Sequence, residues 1–157
     1  MYQKAASPAT VIAAAAREVR TARHEDLPRR LSNLAERIET ELGNPETLRS
    51  IAGDLAPLAL ELGCGTVVGA SSTGERIAGA FIATYGADLE MSQRRERGSV
   101  LIVDGVLTTG VQMQRAIRKA REAGADKVSG IVVAADHDAL RLCNADPKTR
   151  VIALAEF

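Results

Sequence analysis

Residues Val100 to Gln112 read Val-Leu-Ile-Val-Asp-Gly-Val-Leu-Thr-Thr-Gly-Val-Gln, and no other stretch constrains the fold as tightly. Four β-branched or leucine side chains in an unbroken row offer water no polar face, which is the pattern of a strand covered on both sides in a parallel sheet. Asp104 closes that row. Leu107, Thr108, Thr109 and Gly110 then form a turn, and Met113, Ala116, Ile117, Ala120 and Ala123 follow at helical spacing up to Gly124. Unpaired N–H groups and the helix dipole favour an anion at such a helix start, and a glycine lets the backbone approach it. The expectation is a phosphate held by the amides of Leu107 to Val111 with the hydroxyls of Thr108 and Thr109. With no ligand, Thr108 or Thr109 is only an N-cap.

Around this stretch the chain alternates strands and helices from Thr66 onward. The pattern predicts strands at Thr66–Ala70, Asp88–Met91, Ser99–Val106, Val128–Ala134 and Val151–Ala155. Helices are predicted at Gly74–Tyr85, Thr109–Ala123 and Asp138–Cys143. Such alternation implies an α/β fold, a three-layer parallel sheet whose ligands bind beyond the carboxyl ends of its strands. Residues 66–157 are expected to form this core, and residues 1–65 an N-terminal helical segment packed on it. Ser7 and Pro8 start one helix reaching about Ala22. Leu27, Leu31, Leu34, Ile38 and Leu42 give an amphipathic second helix up to Gly43. Asn44 and Pro45 start a third, through Leu48, Ile51, Leu55, Leu58 and Leu62 to Gly63, with Pro57 predicting a kink or a break.

The loop after the first predicted strand, Gly69-Ala-Ser-Ser-Thr-Gly-Glu-Arg, is a second candidate anion turn. Its glycines have Walker A spacing, but Glu75 stands where the phosphate-binding lysine belongs and Arg76 where the magnesium hydroxyl belongs, which argues against a nucleoside triphosphatase. Gly63 and Gly65 precede the strand rather than follow it, which argues against a dinucleotide fingerprint.

Composition narrows the partners. Twenty basic and twenty acidic residues leave no net charge, so there is no strong nucleic-acid signal. Cys64 and Cys143 are far apart and lack metal-ligand spacing, so neither a disulfide framework nor a protein metal site is expected. No apolar run reaches membrane-spanning length and no signal-peptide order is present; a cytoplasmic protein with no membrane contact is expected.

Asp104, Thr108, Thr109 and Gly110 resemble the phosphoribosyl diphosphate (PRPP) motif of type I phosphoribosyltransferases, in which a hydrophobic strand ends in two acids and leads into a Thr-Thr-Gly loop. Gly105 replaces the second acid, and Gln112 replaces the hydroxyl that ends the loop. The resemblance covers about Thr66 to Phe157 and is best for the orotate branch. It implies Asp104 as the catalytic acid facing the ribose. It further implies a phosphate subsite at Leu107, Thr108, Thr109, Gly110, Val111 and Gln112, and a pyrophosphate contact at Ser71, Ser72, Thr73 and Gly74. Arg94 and Arg95 fall in a basic segment that touches pyrophosphate in that branch, and His137 stands where an arginine meets the base. The ligand implied is PRPP or a nucleoside monophosphate, with Mg²⁺ carried by the ligand and a homodimer as the assembly; the base is unknown. The long mobile loop and the hood of the family are missing.

Three readings follow. In a phosphoribosyltransferase, a base nitrogen attacks the sugar carbon as pyrophosphate departs. In a sensing or regulatory protein of the same fold, ligand binding survives without transfer. A receiver-like domain is disfavoured, because Ser71, Ser72 and Thr73 stand where its further acids belong.

Overall fold

Four parallel strands, β1 (Thr66–Gly69), β2 (Ser99–Leu107), β3 (Lys127–Ala135) and β4 (Thr149–Glu156), lie side by side in chain order. The computed structural model describes residues 25–63, 65–91 and 98–157, together with Ile12, Ala14, Ala15, Arg17, Glu18, Val19, Thr21 and Arg23. Five helices with described bounds surround the sheet: α1 (Leu27–Glu41), α2 (Pro45–Leu62), α3 (Ser72–Met91), α4 (Val111–Glu122) and α5 (His137–Cys143).

The layers follow from strand alternation. Leu101 and Val103 of β2, with Ile131 and Val133 of β3, face one way and join a core with Leu34, Ile38, Ile51, Leu55, Ile77 and Phe81 from α1, α2 and α3. Ile102 and Val132 face the other way and pack on Met113 and Ile117 of α4 and Ala139 and Leu140 of α5. Ile77 and Phe81 are no more than 1% exposed, so each contributes roughly 1.5–3 kcal/mol of apolar burial. The result is the three-layer parallel α/β fold expected from Thr66 onward.

The helix after β1 packs on one face, and the helices after β2 and β3 pack on the other. The loops leaving β1 and β2 therefore diverge, and a crevice opens between them at the carboxyl edge of the sheet. Register fixes its floor. Gly69 pairs with Val103, the last pairing of β1 with β2, so Asp104 is the first β2 residue beyond the end of its neighbour. β2 itself continues past the acid to Leu107, pairing Asp104 with Val132 and Leu107 with Ala135. Asp104 thus lies inside the strand, three positions before its end.

The helix starts behave as their residues dictate. Asn44 Oδ1 accepts the Glu46 N–H at 2.9 Å, Pro45 takes the first turn of α2, and Gly63 ends it in the left-handed region at φ +64°. Pro57 does not break α2. It is exposed, so its lost hydrogen bond faces water, while Ile51, Ala52, Leu55, Ala59 and Leu62 hold the helix to the core on both sides of it. The strand expected at Asp88–Met91 is not formed; those residues are the last turn of α3. Ala87, Leu89, Glu90 and Met91 are good helix formers, and Gly86 is tolerated within the helix rather than ending it. The helix read from Ser7 falls largely outside the described residues; those described between Ile12 and Val19 are helical. Among the described residues, no helix is long and apolar enough to cross a membrane.

Candidate functional site

Asp104 is 4% exposed, and its carboxylate is fixed from two sides. Oδ1 accepts the Ser71 hydroxyl and the Gly105 N–H, the latter at 2.8 Å. Both bonds fall on Oδ1. Among the described residues Oδ2 receives no donor and no fully buried side-chain oxygen or nitrogen lacks a partner, so Oδ2 is the carboxylate oxygen left accessible. Burial raises the Asp104 pKa above the usual carboxylate range, and the donors from Ser71 and Gly105 work against that rise.

The space it meets is a cavity of about 210 Å³ lined by Asp104, by Val106 to Met113 and by Ala35 of α1. Thr108 and Thr109 are exposed, and Gly110 is buried in the left-handed region at φ +77°. Gly110 is also the N-cap of α4, and no side chain caps that helix. The reading of Thr108 or Thr109 as an N-cap is therefore wrong: Gly110 takes that place, and both hydroxyls stay free of the first turn. A helix start with uncapped amides, two threonines and a buried acid thus converge on one cavity.

The other candidate turn is built differently. Ser71 carries the connection, donating to Asp104 while its Oγ accepts the Gly74 N–H at 3.1 Å and its carbonyl accepts the Glu75 N–H at 2.8 Å. Gly74 is there for space, since a Cβ would stand 2.2 Å from the Val103 carbonyl oxygen. Ser72 is exposed at the start of α3. The Thr73 hydroxyl is bonded to the Glu39 carboxylate of α1. His137 begins α5, with Nδ1 3.0 Å from Glu156 Oε2; it does not line the Asp104 cavity. Arg94 and Arg95 lie outside the described residues. Within the described residues, no group of three or more His, Cys, Asp or Glu side chains is placed to hold a metal ion.

Spacing could not reveal what α1 adds. Ala35 forms a wall of the cavity. A Cβ on Gly105 would stand 2.7 Å from Thr73 Cγ2 and 3.5 Å from Ile38 Cγ2. The position expected to hold a second acid is thus closed by the first loop and α1 together. Amphipathic spacing shows which face of α1 is buried but not where on the sheet it docks, so no local signal marked Ala35 or Glu39.

Fold and site together define a parallel α/β protein with an uncapped helix-start turn beside a buried acid, at the crevice where the helices change faces. Among solved structures, the chain is similar to the crystal structure of orotate phosphoribosyltransferase from Aeropyrum pernix, at 20% sequence identity and a TM-score of 0.49, over 82% of this chain and 75% of that one. No protein-family model and no curated protein matches it. Residue roles in this chain rest on its own geometry.

Proposed function

We propose that the protein binds a 5-phosphoribosyl compound, PRPP or a nucleoside monophosphate, with the phosphate at Leu107 to Val111 and the ribose hydroxyls toward Asp104 Oδ2. The observation that carries this reading is that the buried acid and the uncapped α4 turn line one cavity. Sugar hydroxyls suit a carboxylate that accepts but does not donate, and amides at a helix start suit a phosphate. Asp104 offers a cation one free oxygen, so Mg²⁺ comes in on ligand oxygens and water, and Asp104 at most adds one bond.

Transfer to a base is the finer claim. If it occurs, a base nitrogen bonds to the anomeric carbon while the bond to the pyrophosphate oxygen breaks and pyrophosphate leaves with the electron pair. Titration calorimetry with PRPP and with nucleoside monophosphates, with and without Mg²⁺, tests the reading. Saturable heat with at least one of them is expected; a folded sample that binds none refutes it.

A further inference from the structure

The two helix starts at the carboxyl edge differ in what already occupies them. The α4 turn opens on the cavity, whereas the α3 turn holds an anion from the chain itself. The Glu39 carboxylate accepts the Thr73 hydroxyl, and its Oε2 lies 3.9 Å from Arg76 Nη1. Arg76 also donates from Nη2 to the Leu42 carbonyl at 2.8 Å, which ties the guanidinium to the end of α1. The two turns are close, since Ser71 joins Gly74 to Asp104 and Thr73 Cγ2 crowds Gly105. Glu39 lies one turn of α1 beyond Ala35, which lines the cavity, so the α3 turn and the anion it holds stand beside the cavity wall.

We propose that Glu39 is an internal anion that holds the Thr73 and Arg76 donors against any ligand carrying a second anionic group, so that the cavity selects phosphomonoesters over sugar diphosphates. The inference rests on the phosphoribosyl reading of the cavity. Two negative groups sharing one hydroxyl and one guanidinium repel each other at short range. A monophosphate on the α4 turn leaves Glu39 where it is, while a diphosphate on the anomeric side has to displace it. That displacement is local. Leu34, Ile38 and Leu42 are buried and hold α1 on the sheet, whereas the Glu39 side chain is 56% exposed and free to swing outward.

The test compares the wild-type protein with Glu39→Gln and Glu39→Ala, using Glu36→Gln on the same helix as a control of equal net charge. Ribose 5-phosphate, PRPP and inorganic pyrophosphate are titrated calorimetrically into each, with thermal melts confirming the fold. Both Glu39 variants are expected to bind PRPP and pyrophosphate about tenfold more tightly, with ribose 5-phosphate unchanged and Glu36→Gln like wild type. An unchanged ratio of PRPP to ribose 5-phosphate affinity in the Glu39 variants, or an equal gain in Glu36→Gln, overturns the inference. If pyrophosphate tightens in the Glu39 variants while ribose 5-phosphate binds none of the proteins, the phosphoribosyl reading fails and the selection of phosphomonoesters fails with it, whereas ribose 5-phosphate binding with an unchanged ratio overturns the inference alone. If nothing binds any protein, both are overturned.

Discussion

Gly105→Ala puts a number on the closure of the site. The new Cβ stands 2.7 Å from Thr73 Cγ2, well inside the ~3.5–4.0 Å of a normal carbon contact. Turning the Thr73 methyl aside breaks the bond from its hydroxyl to Glu39. Overpacking of this kind costs about 1–3 kcal/mol, and the entropy gained by replacing a glycine returns roughly 0.4–1 kcal/mol. The net loss is between about 0 and about 2.6 kcal/mol, or up to roughly 10 °C in Tm for a chain of this size. Thr73→Ser removes the methyl and keeps the hydroxyl. In that background Gly105→Ala becomes neutral or stabilising, so the double-mutant cycle carries a coupling of about 1–3 kcal/mol. Urea unfolding of the four proteins reads it. Additivity within about 0.5 kcal/mol would falsify the packing of the first loop on Gly105. Gly105→Asp loses more stability than Gly105→Ala, because it also buries a second carboxylate beside Asp104.

Asp104→Asn is expected to stabilise the ligand-free protein near neutral pH. The native carboxyl holds its proton more tightly than the unfolded one, so the contribution of Asp104 to stability falls as pH rises from the unfolded pKa through the raised native one, and Asn stays uncharged throughout. Melts from pH 3 to about pH 8 should show the advantage growing with pH, and equal melting across the range contradicts it. The same change should weaken ribose 5-phosphate more than free phosphate; equal weakening removes Asp104 from the sugar. Gly110→Ala strains a backbone at φ +77° and brings a Cβ to 3.1 Å from Cys143 Sγ, costing about 1–3 kcal/mol and loosening phosphate. Wild-type stability and affinity in that variant would show that the turn tolerates a side chain.

Local chemistry made the centre of this fold legible, and tertiary docking hid the rest. Val100 to Leu107 and the helix after them are specified by their own side chains: an apolar run, a turn glycine and a helical stripe. Asn44, Pro45 and Gly63 likewise bound α2 through contacts within a few residues. Asp88–Met91 was misread because four residues with alternating polarity fit a strand or a last helical turn equally well. The site followed the same division. Asp104 and the Leu107 to Gln112 turn stood out by residue type, whereas the bond from Ser71 to Asp104 joins residues 33 positions apart and leaves no mark on either stretch. The reason for Gly105 was hidden too, since it lies in Thr73 and Ile38, which reach it from α3 and α1.

The central claim is that phosphate and ribose meet in the cavity between Asp104 and the α4 turn. Its most direct measurement is the ¹⁵N–¹H spectrum of labelled protein titrated with ribose 5-phosphate. The account predicts saturable shifts at the amides of Thr108 to Gln112 and at Gly105, whose N–H is bonded to Asp104, with the amides of α2 unmoved. A titration that leaves Thr108 to Gln112 in place, or moves only residues remote from the cavity, contradicts it.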